Sequence, residues 1–143
     1  MKNKSNNSLI QSLQSAKLSY KPELNEEQGG FIIKDSHGKY SFVPVRNRNT
    51  GQPVAKSLYT ADKAEFAKKV LTPCMLSGFE LYASFHTHPK GYPAKPSRTD
   101  LTELFTGHTV NYIWAPQEDE LNQFTYTCDG WDGDYWALET ITT

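Results

Sequence analysis

Two short runs rich in apolar residues, 31–34 and 39–45, stand on either side of the polar Asp35-Ser36-His37-Gly38. Short runs of Phe, Ile, Tyr and Val bounded by turn residues read as strands, and the Asp and Gly between them predict a hairpin turn with His37 exposed on it. Residues 46–57 carry Asn, Thr, Gly and Pro and read as a loop. Thr60 then stands before residues 61–71, where Phe66, Val70 and Leu71 recur at helical spacing, so a helix capped by Thr60 and stopped by Pro73 is expected. The run 78–85 starts at a glycine and is rich in aromatic and aliphatic residues, which predicts a strand. Leu101, Leu104 and Phe105 return to helical spacing behind Ser97, a natural N-cap. Strands over 109–115 and 121–128 and a short helix over 9–18 complete the series. Strands and helices in this order predict an α+β fold, a mixed β-sheet with flanking helices.

Composition narrows the class. At 143 residues, one core is expected that needs no staple, and no apolar run approaches membrane-spanning length. The expected organisation is a polar, basic N-terminal tail or short helix over 1–20 and a single domain over 21–143. The first 21 residues hold Lys2, Lys4, Lys17 and Lys21 and no acid. Residues 117–143 reverse the sign, with Glu118, Asp119, Glu120, Asp129, Asp132, Asp134 and Glu139 and no Lys or Arg. An acidic surface of that kind repels phosphate backbones and argues against nucleic acid as the ligand, and nothing calls for a membrane partner. The N-terminus lacks the apolar stretch of a secretory signal, so a cytoplasmic location is the expectation. Cys74 and Cys128 are two thiols far apart in sequence, read as buried and reduced. The tail 129–136 lacks the spaced oxygens and closing glutamate of a calcium loop and reads as a tight aromatic turn. His108, just past Gly107, reads as a helix-end residue.

The chemistry gathers around His86-Thr87-His88-Pro89 and Ser97-Arg98-Thr99-Asp100. On a strand, residues two apart face the same way, so His86 and His88 project together and Thr87 points to the other face. Alone, Ser-x-x-Asp is a helix-capping pattern, and a lone His-x-His is a weak signal. Together they describe a strand ending in two imidazoles, a short loop, and a helix that begins with a carboxylate aimed back at them. Two His and one Asp leave the fourth position of tetrahedral zinc open, as catalytic sites do. Such a site also needs a carboxylate to move protons, and Glu27, at the mouth of the apolar run 31–33, is the best candidate. Glu26 faces the other way after a one-residue slip, and the bland reading of the pair is two solvated loop acids.

Glu27-x-x-Gly30-Phe31-Ile32, His86-x-His88-Pro89 and Ser97-x-x-Asp100, in this order, resemble the JAMM motif of the MPN+ or JAB zinc metallopeptidases. The resemblance implies a JAB/MPN-like, cytidine-deaminase-like fold in a compact bacterial or phage-type member. It implies one Zn²⁺ per chain held by His86, His88 and Asp100, Glu27 as general base and acid, and Ser97 stabilising the tetrahedral intermediate. The stretch between Pro89 and Ser97 is about one residue longer than is common in that family. The expected activity is that of a zinc-dependent peptidase or isopeptidase acting on a protein or peptide through metal-activated water. A ubiquitin-like tail, a toxin or effector precursor and a peptidoglycan stem peptide are the substrates considered, with Lys90, Tyr92 and Lys95 of the loop 90–96 as binding residues. The alternative is a non-catalytic JAB-fold interaction module or scaffold, against which the presence of all five motif residues weighs. A zinc deaminase would require paired cysteines that the chain lacks.

Overall fold

A computed structural model describes residues 4–95, 110–125 and 137–140. The hairpin forms where those two runs placed it: β1 (Gly29–Lys34) and β2 (Tyr40–Val45) pair antiparallel. Its turn is tied by Asp35, whose Oδ1 accepts from the backbone N–H of His37 and Lys39, and His37 is exposed. β1 also pairs antiparallel with β3 (Glu80–Thr87), and β3 pairs parallel with β4 (Val110–Ala115). β5 (Glu120–Thr125) and β6 (Ala137–Thr140) continue antiparallel, giving a six-stranded mixed sheet in the order β2-β1-β3-β4-β5-β6. β6 has no counterpart among the strands expected from sequence.

The residues that close the two faces of the sheet come from the helices. α1 (Lys4–Ser19) extends well beyond the short helix expected at 9–18. Its inner stripe of Ser8, Leu9, Ser12, Leu13 and Ala16 follows helical spacing but includes two serines, which is why its hydropathy reads as broken. Ser12 Oγ donates to Ser8 O at 2.9 Å, and Ser8 Oγ accepts from Tyr40 N at 3.1 Å, so the buried hydroxyls are bonded. Leu13 and Ala16 pack with Ile32, Ala83, Phe85, Tyr112, Trp114 and Leu121 on one face. On the other, Ile33, Val45 and Val70 meet Phe31, Phe66, Cys74 and Leu81.

This second face is covered by one helical rod in three pieces: α2 (Lys63–Phe66), a wide π turn (Ala67–Leu71) and α3 (Thr72–Ser77). Three expectations are corrected here. The cap is Asp62, whose Oδ1 accepts from Glu65 N at 2.9 Å, rather than Thr60. Pro73 does not stop the helix, because the π turn opens the winding ahead of it and Pro73 falls in the first turn of α3, where its missing N–H costs little. The helix ends instead at Gly78 with φ 69°, a left-handed C-cap. The same extra residue in the turn rotates Leu71 outward, where it is 45% exposed, while Val70 stays at 1%.

A register shift in the β1–β3 pairing falls between Ile32 and Ile33, opposite Ala83 and Leu81. From Ala83 onward the alternation is regular, so Ala83 and Phe85 face α1 while Ser84 and His86 face the other way. No helix among the described residues is long and apolar enough to cross a membrane.

Candidate metal centre

His86 is the penultimate residue of β3 and His88 lies one residue beyond the strand, where the backbone is still held: His88 N donates to Trp114 O of β4 at 2.9 Å. Thr87 between them points to the opposite face, buried, and is locked to the residue after Glu27. Gln28 N donates to Thr87 Oγ1 at 3.0 Å, and Thr87 N donates to Gln28 O at 2.8 Å. This ladder brings Glu27 alongside the two imidazoles. Ligand atoms of Glu27, His86 and His88, all three buried, lie within 4.8 Å of one another.

The imidazoles are set for a metal. Their Nε2 atoms are 3.2 Å apart. Two nitrogen ligands of one tetrahedral zinc at Zn–N of about 2.0–2.1 Å stand about 3.3 Å apart, so the observed separation fits. His88 Nδ1 lies 2.8 Å from Pro93 O. A carbonyl only accepts, so Nδ1 carries the proton and donates, which leaves the Nε2 lone pair for the metal. Two buried imidazoles with a buried carboxylate beside them could hold a metal ion, and imidazole nitrogens at this separation fit zinc.

Glu26 is placed differently from its neighbour. Its carboxylate accepts from Thr50 Oγ1 and from Gly51 N, on the loop that follows β2, away from the histidines. Glu27 is the acid that the structure brings to the site. Its backbone is held on both sides, with Glu27 N donating to Ala55 O at 2.7 Å and Asn47 Nδ2 donating to Glu27 O at 3.0 Å. The same Asn47 amide donates to Leu58 O at 2.8 Å, so one buried side chain fastens the Glu27 segment to the loop over it. From that loop Tyr59 lies parallel to the His86 ring, with centroids 6.2 Å apart and an interplanar angle of 10°. Asn47 and Tyr59 escaped sequence reasoning. The one available signal was an Asn in a loop otherwise made of turn residues, and Tyr59 gave none.

Lys90, Tyr92 and Lys95 are exposed on the loop leaving His88, and they are not brought to the cluster. The loop itself is anchored: Ala94, fully buried, donates its N–H to Glu120 Oε1 and accepts from Asn122 Nδ2, both at 2.9 Å. Ser97 and Asp100, the helix expected to begin with them, and His108 lie outside the described residues, as do Cys128 and the segment 129–136.

A mixed sheet of this order with the Glu and the two His on one face is the framework of a JAB domain. A family model for prokaryotic homologues of the JAB domain matches residues 11–127, and the chain belongs to that family. JAB domains include peptidases, and the three clustered side chains could bind a metal as a JAMM motif does. The solution structure of protein DSY2949 from Desulfitobacterium hafniense is similar, with a TM-score of 0.66 and 18% identity over 92% of this chain and 86% of that one, a likeness of fold. A solution structure of a Salinibacter ruber protein is 25% identical over 94% of this chain and 86% of that one, with a TM-score of 0.49. No curated protein matches the sequence.

Proposed function

We propose that this protein is a zinc-dependent peptidase or isopeptidase that hydrolyses an amide bond in a protein or peptide. The observation that carries the reading is the pair of buried Nε2 atoms 3.2 Å apart with the Glu27 carboxylate beside them. His86 and His88 hold the ion, with Asp100 as third ligand by the family motif. Zinc bound there supplies a Lewis acid that polarises the carbonyl and makes water acidic near neutral pH. Glu27 takes the proton of the attacking water on its carboxylate and returns it to the leaving amine, which needs the acid buried and fixed, as its two backbone tethers make it. Ser97 stabilises the oxyanion by its hydroxyl. The exposed loop residues Lys90, Tyr92 and Lys95 contact the substrate on the rim, and their two cations favour an acidic segment.

The test is elemental mass spectrometry of the purified chain beside His88→Ala and Glu27→Gln, followed by peptide and isopeptide assays. About one zinc per wild-type chain, lost in His88→Ala and kept in Glu27→Gln, with hydrolysis lowered by about 10²–10⁴-fold in the latter, is expected. Unaltered turnover in Glu27→Gln removes Glu27 from the reaction. No zinc in the wild type after reconstitution makes the chain a JAB-fold scaffold instead.

A further inference from the structure

The loop between β2 and α2 closes one side of the metal centre, and its contacts with the two halves of the site differ. Asn47 grips the Glu27 main chain, whereas Tyr59 presents a flat face to the His86 imidazole, nearly parallel at 10° and with centroids 6.2 Å apart. That geometry is within the range of offset ring stacking. The Tyr59 ring is itself fixed at its far end, where the phenol donates to Val45 O at 2.8 Å, and at its near end, where Leu58 O is held by Asn47. Burial first, and the charge of Glu65 second, push the phenol far above the ordinary tyrosine range, so it remains a neutral donor at any working pH.

We propose that Tyr59 is a positioning residue of the metal centre: its ring, anchored to β2, holds the His86 imidazole in the orientation that aims Nε2 at the same point as His88 Nε2. His88 is oriented by the Pro93 carbonyl, and His86 by an aromatic wall. Outer partners that hydrogen-bond a ligand are worth roughly 10–100-fold in metal affinity, and a stacked ring that orients one is placed at the lower end of that range. The inference rests on the zinc reading above and concerns a residue outside the motif.

The full-length chain is compared with Tyr59→Phe, which keeps the ring, and with Tyr59→Leu and Tyr59→Met, which remove it; the methionine fills more of the space should the leucine variant fail to fold. Zinc affinity is read by competition with a chromophoric chelator, and ligand geometry by the visible absorption of the cobalt-loaded chain. Tyr59→Phe should match the wild type in both, while the ring-less variants bind zinc about 10-fold more weakly and shift the cobalt bands. Wild-type affinity and spectrum in a folded ring-less variant overturn the inference and leave the zinc reading standing. A Tyr59→Phe variant as weak as Tyr59→Leu also overturns it, because the Val45 tether rather than the ring would then be what matters. A wild-type chain that binds neither metal overturns the zinc reading and this inference with it.

Discussion

Gly29 stands opposite His86 in the β1–β3 register, and the two main chains approach so closely that a Cβ on Gly29 would collide with the Phe85 carbonyl oxygen and press on His86 Cα. The position therefore needs glycine for space rather than for a left-handed turn. Gly29→Ala should lower stability by roughly 1–3 kcal/mol in urea titration and weaken zinc binding, since the strain falls on the backbone that carries a ligand. A variant with wild-type midpoint and affinity would mean that β1 and β3 separate without moving His86. Asn47, 4% exposed, poses the complementary case of a buried donor on which two carbonyls depend. Asn47→Leu removes the donor to Glu27 O and to Leu58 O, and a buried hydrogen bond lost in this way costs on the order of 1–3 kcal/mol. Under the proposed mechanism it should lower kcat more than it raises KM. At this scale the histidines and Glu27 were legible, because strand periodicity and a motif register act within a few residues. Asn47 and Tyr59 were not, because their roles exist only once a loop folds back over residues distant in the chain.

Elements were legible in kind and less so at their ends. The hairpin followed from two apolar runs around an Asp/Gly turn and the histidine-bearing strand from its aromatic and aliphatic content, but the helical rod between β2 and β3 begins and ends elsewhere than its apolar spacing implied. Helical spacing assumes one winding throughout, and a π turn changes the phase midway, turning Leu71 to solvent and making Pro73 tolerable. The start of the rod was decided by side-chain chemistry. The Asp62 carboxylate accepts from Glu65 N and from Arg46 Nη2, each at 2.9 Å, and these bonds, the backbone one foremost, hold its pKa below the ordinary aspartate value. A folded pKa below the unfolded one means that the cap stabilises fully above the unfolded value of about 3.9 and loses its contribution as pH falls through the depressed folded value. Asp62→Ala should therefore lower Tm at pH 7, and the gap to the wild type should close in acid. A gap that holds constant down to strongly acid pH would show that the carboxylate's charge has no part in capping.

The whole molecule couples these parts through its core, and α1 is a layer of that core although the sequence there reads as a polar, basic tail or short helix. Leu13 is fully buried among Ile32, Ala83 and Phe85, and Lys17 reaches Asp119 in the β4–β5 turn at 2.9 Å. The helix thus braces the face of the sheet opposite the histidines. Leu13→Ala should cost about 2–5 kcal/mol by leaving a cavity, without touching a ligand. Metal binding adds to stability by mass action: an ion held by the folded state alone, at a free concentration of 100 times its Kd, contributes about 2.7 kcal/mol. For a chain of this size each kcal/mol is worth roughly 2–4 °C in Tm. The two effects are separable by thermal melts with and without zinc. Leu13→Ala should start from a lower baseline yet gain the same increment from zinc as the wild type. His88→Ala should start from a lower baseline, since a buried ring and the donor to Pro93 O are lost, and gain nothing from zinc, and Glu27→Gln should keep the increment. If Leu13→Ala instead lost the increment while remaining folded, the packing of α1 would itself be setting the geometry of the metal centre through β3, and the two faces of the sheet would not be independent.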